Sequence, residues 1–152
     1  MIIGNVEKSY NYIPTLNREH IARNHASHIE YLLEDDRAFQ RMFVTFKSCI
    51  QGFKMGCKPF LGGDGCHLQS KYLGTLLAAT ILDGNNGLFS VAFAVVEGEF
   101  EMSWTWFLQH LKEALETELD NITIISDQEK GLQGAIGMLF SHAEHIICMR
   151  HL

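Results

Sequence analysis

Two aspartates stand out for the chemistry that could be built around them. Asp64 lies in Gly62-Gly63-Asp64-Gly65, where small neighbours leave the carboxylate accessible and the backbone free to turn. Asp127 follows the branched apolar run Ile122-Thr123-Ile124-Ile125-Ser126. Each closes a segment that reads as a strand, and if those strands are neighbours in one sheet the two carboxylates meet at one edge. Two such oxygen ligands suit Mg²⁺ or Mn²⁺. A pair of these ions roughly 4 Å apart can activate a water or a 3′-hydroxyl and stabilise the departing oxygen in phosphoryl transfer. Taken singly, an aspartate at a strand end is more often a turn former or a helix cap. Asp83, in Asp83-Gly84-Asn85-Asn86-Gly87, reads as that kind of turn residue.

Other reactive side chains read more plainly. The four cysteines, Cys49, Cys57, Cys66 and Cys148, do not form the dense framework of small secreted domains, and buried reduced thiols are expected. His20, His25 and His28 fall in a polar helix and are expected to be solvated. His67, three residues after Asp64, could touch a substrate. Trp104, Trp106 and Phe107 read as core and helix-face aromatics. Gly131, Gly134 and Gly137 recur every three residues, as close helix packing would require.

The elements that must position the aspartates follow from hydrophobic spacing. Thr15 is placed to cap a helix running to about Leu33, and Glu34-Asp35-Asp36 suit the N-terminus of a second. Phe39, Met42, Phe43, Phe46 and Ile50 then fall on one helical stripe that Gly52 stops. From Cys57 the pattern changes to strands. Lys58 to Asp64 is a short first strand, and Leu73 to Leu82 reads as a strand covered on both faces. The Asp83–Gly87 turn joins it to Leu88–Val96 as an antiparallel hairpin. Ser103 is expected to cap a helix carrying Trp104, Phe107, Leu108, Leu111 and Leu115. Ile122–Ser126 is a strand, 130–140 a helix, and His145–Cys148 a final strand. Three strands, then helix, strand, helix, strand is the order of the ribonuclease-H-like fold.

Composition bounds the rest. The 152 residues and 47% apolar content fit one globular domain. No apolar run reaches the roughly 20 residues of a membrane span, and the N-terminus lacks a secretory signal, so an intracellular protein is expected. Acidic residues outnumber basic ones 18 to 12, for a net charge of −6. That balance does not favour a broad basic DNA-binding face.

The words around the aspartates carry a resemblance. The segment GCKPFLGGDGCHLQSKYLGTLLAATILDGNNGLFSVAFAVVEGE, followed by SWTWFLQHL, ITIISDQEKGLQGAI and CMRHL, resembles the Mutator-like element (MULE) transposase domain of the plant MuDR type. The similarity covers about residues 39 to 152. It implies a mixed α/β (α+β) ribonuclease-H-like sheet with three antiparallel strands first, flanked by helices. Residues 1–52 are then a helical N-terminal segment and residues 53–152 a partial catalytic domain. By position it implies that Asp64 and Asp127 are catalytic metal ligands for Mg²⁺ or Mn²⁺, the first two acids of a DDE triad. Cys148 and His151 match the family's C-x-x-H pair. Cys57 and Cys66 are the only obvious further ligands for a zinc ion there, and zinc is not expected. Cys66 stands where threonine is usual, and Gln128-Glu129 where an Arg-Gln pair is usual.

The resemblance implies metal-dependent cleavage and joining of DNA at transposon ends, in the nucleus. The family's third carboxylate lies beyond Leu152, so the expectation is a truncated domain that is inactive alone. An alternative is a domesticated, non-catalytic derivative acting in transcription regulation or through a protein partner on the surface that later helices would cover. A third reading is an unrelated nuclease with Glu97 as its third acid.

Overall fold

A computed structural model of the chain describes residues 10–25, 27–35, 38–69, 74–116 and 122–149. Four helices and seven strands are formed among them. In chain order they are α1 (Ile13–Arg23), β1 (His28–Leu33), β2 (Phe39–Thr45), α2 (Lys47–Gly56), β3 (Phe60–His67), β4 (Thr75–Leu82), β5 (Leu88–Val96), α3 (Glu101–Leu115), β6 (Thr123–Ser126), α4 (Lys130–Leu139) and β7 (Glu144–Ile147). The strands form one mixed sheet in the order β1-β2-β5-β4-β3-β6-β7. The pairings from β1 through β3 are antiparallel, whereas β3–β6 and β6–β7 are parallel. A mixed α/β architecture with β3, β4 and β5 antiparallel is therefore present.

The first third of the chain departs from the helical expectation. The first helix ends at Arg23, and His28–Leu33 pairs with Phe39–Thr45 as a hairpin. Glu34 and Asp35 lie in its connection rather than at a helix start. The stripe from Phe39 to Ile50 is in fact a strand followed by a helix. Along β2, Arg41, Phe43 and Thr45 are buried on the side of α3, while Met42 and Val44 face α1 across an apolar groove. With both faces covered, apolar residues occur at consecutive positions, and a strand then mimics helical spacing. Because β2 pairs with β5, the sheet runs straight across position 52.

Further along, spacing and structure agree closely. Strand β5 spans the expected Leu88–Val96, and β4, β6, α4 and β7 fall within two residues of their expected limits. Asp83 Oδ1 accepts from the backbone N–H groups of Asn85 and Gly87, which closes the β4–β5 turn, and Asn86 adopts a positive φ of 66°. Helix α3 starts two residues before Ser103, whose buried hydroxyl caps nothing. Its inner face, led by Trp104, Phe107 and Leu111, is fully buried against the sheet, where Phe107 meets Phe43 at a ring separation of 5.7 Å. Trp106 is only half-buried and lies beneath the Arg41 guanidinium. Gly131 and Gly134 do give close packing. A Cβ at Gly131 would lie 2.7 Å from the Glu101 backbone nitrogen, and one at Gly134 would meet the Glu101 carboxylate, whereas Gly137 faces open space.

Candidate functional site

Asp64 sits inside a strand rather than at its end. Strand β3 continues to His67, and Asp64 pairs with Ala78 of β4. Its glycines make no turn, and no described glycine has a positive φ. They admit neighbours instead. A Cβ at Gly63 would stand 3.1 Å from the Leu132 side chain of α4, and one at Gly65 would overlap the Glu99 carboxylate at 2.3 Å. Gly63 and Gly65 therefore face the helices, and strand alternation turns Asp64, between them, to the opposite and exposed face.

Asp127 is the first residue after β6. The parallel register pairs Phe60 with Thr123, Leu61 with Ile124 and Gly62 with Ile125. The ladder ends there, with Asp64 two residues beyond Gly62 on β3 and Asp127 two residues beyond Ile125. Asp127 is held from several directions. Its Oδ1 accepts from the Glu129 backbone N–H at 2.9 Å, and its carbonyl accepts from the Ser126 hydroxyl at 2.8 Å. With that proton committed, Ser126 Oγ accepts from His145 Nε2–H at 2.8 Å, and the Cys148 N–H donates to the Ser126 carbonyl. Burial holds the His145 pKa below its usual value, which favours this neutral ring.

Acidic groups gather at this edge without cationic partners. No ion pair joins Asp64 or Asp127 to a lysine or arginine among the described residues. Burial, then the Glu129 and Asp127 carboxylates, push the Glu99 pKa up. The Trp104 indole N–H, which stops short of hydrogen-bond geometry, and His67 pull it the other way. The Glu99 carboxylate overhangs Gly65, an approach set by packing and not by sequence spacing. Glu97 is engaged elsewhere, in an ion pair with buried Arg41. Glu129 is the N-cap of α4, accepting from the Leu132 N–H at 2.7 Å, so an acid at that position serves the helix terminus.

Hard carboxylate oxygens without cationic partners suit Mg²⁺ or Mn²⁺, and Asp64 and Asp127 would supply two of them. Glu99 lies on the other face of β3. Accordingly Asp64, Asp127 and Glu99 do not bring ligand atoms within 4.8 Å of one another as a set. The cysteines form no disulfide. Cys66 is exposed and the other three are half-buried, and no three-ligand cluster among the described residues includes them. Burial, then Asp83, pushes the Cys57 thiol pKa up, away from the thiolate a metal would need. Cys148 follows β7 directly, and His151 lies outside the described residues.

Residues 60–152 match the MULE transposase domain family. The chain belongs to that family. The MULE match begins at the first residue of β3 and takes in both aspartates, while β1, β2 and α2 precede it within the same fold. Membership gives the chain a transposase-related role and a family that acts on DNA, generally with divalent metals. No curated protein gives a significant match. No helix among the described residues is long and apolar enough to cross a membrane. His20 and His28 are not simply solvated as expected, since each has a buried ring nitrogen and packs edge-on against Phe46 and Phe43 respectively.

Proposed function

We propose that Asp64 and Asp127 are the paired metal ligands of a MULE-type DNA transposase core. One observation supports this: β3 and β6 are parallel neighbours, Asp64 and Asp127 each follow their last pair by two residues, and neither forms an ion pair with a lysine or arginine among the described residues. Strands β3 to β7 run with three antiparallel neighbours followed by two parallel additions, which supports a ribonuclease-H-like reading of this part of the sheet. Asp64 offers an exposed carboxylate, and the Ser126–His145 and Glu129 hydrogen bonds orient Asp127. A bound Mg²⁺ or Mn²⁺ supplies the Lewis acidity that activates the attacking oxygen and stabilises the leaving one in phosphoryl transfer on DNA. The plant MuDR subtype, a nuclear site of action and a role for the Cys148/His151 pair belong to the same reading.

A non-catalytic descendant working through a protein partner is the second reading. The net charge of −6 and the acid at Glu129, beside Asp127, favour it, because both repel DNA phosphates. Mn²⁺ calorimetry on the chain, Asp64→Ala and Asp127→Ala separates the two. Loss of about 10-fold or more in affinity in both variants is the expected result. Absent binding, or binding indifferent to both changes, removes the metal-centre reading and leaves the partner-binding one.

A further inference from the structure

A second cluster of ligand atoms lies far along the sheet from the two aspartates, on the helix-covered face near the β1 edge. His28 opens β1, and His110 and Glu113 stand one helical turn apart on α3. One ligand atom from each of the three lies within 4.8 Å of the others. Aromatic walls hold both rings: Phe43 contacts His28 and His110 at 5.7 and 5.6 Å, and Trp106 meets His110 edge-on at 4.7 Å. Two polar atoms there are unsatisfied. His28 Nε2 and His110 Nδ1 are both shielded from solvent and have no hydrogen-bond partner. The nearest carboxylate oxygens are Glu30 Oε1, 3.7 Å from His28 Nε2, and Glu113 Oε2, 3.4 Å from His110 Nδ1.

We propose that His28, His110 and Glu113 bind a zinc-class divalent ion. Imidazole nitrogens with carboxylates are a zinc ligand set, whereas Mg²⁺ takes oxygen. The 3.4 Å between His110 Nδ1 and Glu113 Oε2 matches the edge of a tetrahedron with bonds of about 2 Å. Coordination satisfies both orphaned nitrogens and offsets the local negative charge. It also clips the edge strand β1 to α3, so that metal binding stabilises the folded chain. The site is independent of the Asp64/Asp127 centre and shares no residue with it.

The test is Zn²⁺ calorimetry and Co²⁺ absorption on the full 152-residue chain after chelator treatment, alongside thermal unfolding with and without Zn²⁺. The expected result is one zinc per chain, a raised Tm and a tetrahedral cobalt spectrum without a thiolate charge-transfer band. His110→Gln and Glu113→Gln should each lower the affinity by about 10-fold or more, while Asp64→Ala and Asp127→Ala leave it unchanged. Glu113 is exposed, so Glu113→Gln decides alone should His110→Gln fail to fold. Zinc binding that survives Glu113→Gln at full affinity overturns the proposal. So does a thiolate band, loss of zinc in the aspartate variants, or no stoichiometric binding by the parent chain.

Discussion

Glu99 overhangs Gly65 and shares its surroundings with Asp127 and Glu129, and its raised pKa has a consequence for stability. The folded-state value lies above the usual 4.5, so the folded chain takes up this proton more readily than the unfolded one. The stability associated with Glu99 is fully present below about pH 4.5 and is lost as pH rises through the folded value. Glu99→Gln removes that loss. The variant should melt above the parent at pH 7, and the advantage should vanish near pH 4 when Tm is followed across that range. A variant that melts below the parent at neutral pH would mean that attraction to Trp104 and His67 outweighs the carboxylate repulsion. A divalent ion at Asp127 relieves the same repulsion, so Mn²⁺ should shrink the difference between the two proteins.

Between α3 and α4 the controlling variable is how closely the backbones approach. At Gly131 a methyl group would run into the backbone of Phe100 and Glu101, at 2.9 and 2.7 Å, and rigid neighbours cannot yield as a side chain can. Gly131→Ala should therefore destabilise by about 1–3 kcal/mol, the usual cost of overpacking. Gly137→Ala, on the same helix with no atom within 4 Å, should do the reverse. Removing a helix glycine there gains up to about 1 kcal/mol. Denaturant unfolding of the two variants measures the contrast directly. Equal effects at both positions would show that helix propensity, not packing, dominates this element. The regular glycine spacing was legible in the chain, but only the approach of α3 distinguishes the three positions.

At the scale of the whole molecule, β2 joins the strands that precede the MULE match to those within it. Phe43 is fully buried, projects from β2 and packs on Phe107 and His110 of α3. Phe43→Ala should cost about 3–5 kcal/mol and leave a single unfolding transition seen alike by circular dichroism and tryptophan fluorescence. Two transitions, or a loss confined to the first half of the chain, would mean that residues 53–152 fold as a separate unit after all.

How much of this was legible beforehand differs along the chain for a physical reason. From β3 onward, turn chemistry at Asp83–Gly87, clean helical stripes and short branched runs mark the elements, and these signals are local. The family wording around Asp64 and Asp127 is likewise written in consecutive residues. Before β3 the local signals conflict, because β2 is apolar on both faces, one buried and one half-covered by α1, and its pairing with β5 makes it a strand. The β3–β6 register, the approach of Glu99 to Gly65 and the meeting of His28 with His110 and Glu113 were also out of reach. Each joins residues dozens of positions apart, and strand register and helix placement set those distances. The amino-acid sequence by itself determined the family and most of the elements after residue 59. Only the tertiary structure decided which carboxylates surround Glu99 and where two unsatisfied imidazoles come together, because those are properties of packed elements and not of neighbouring residues.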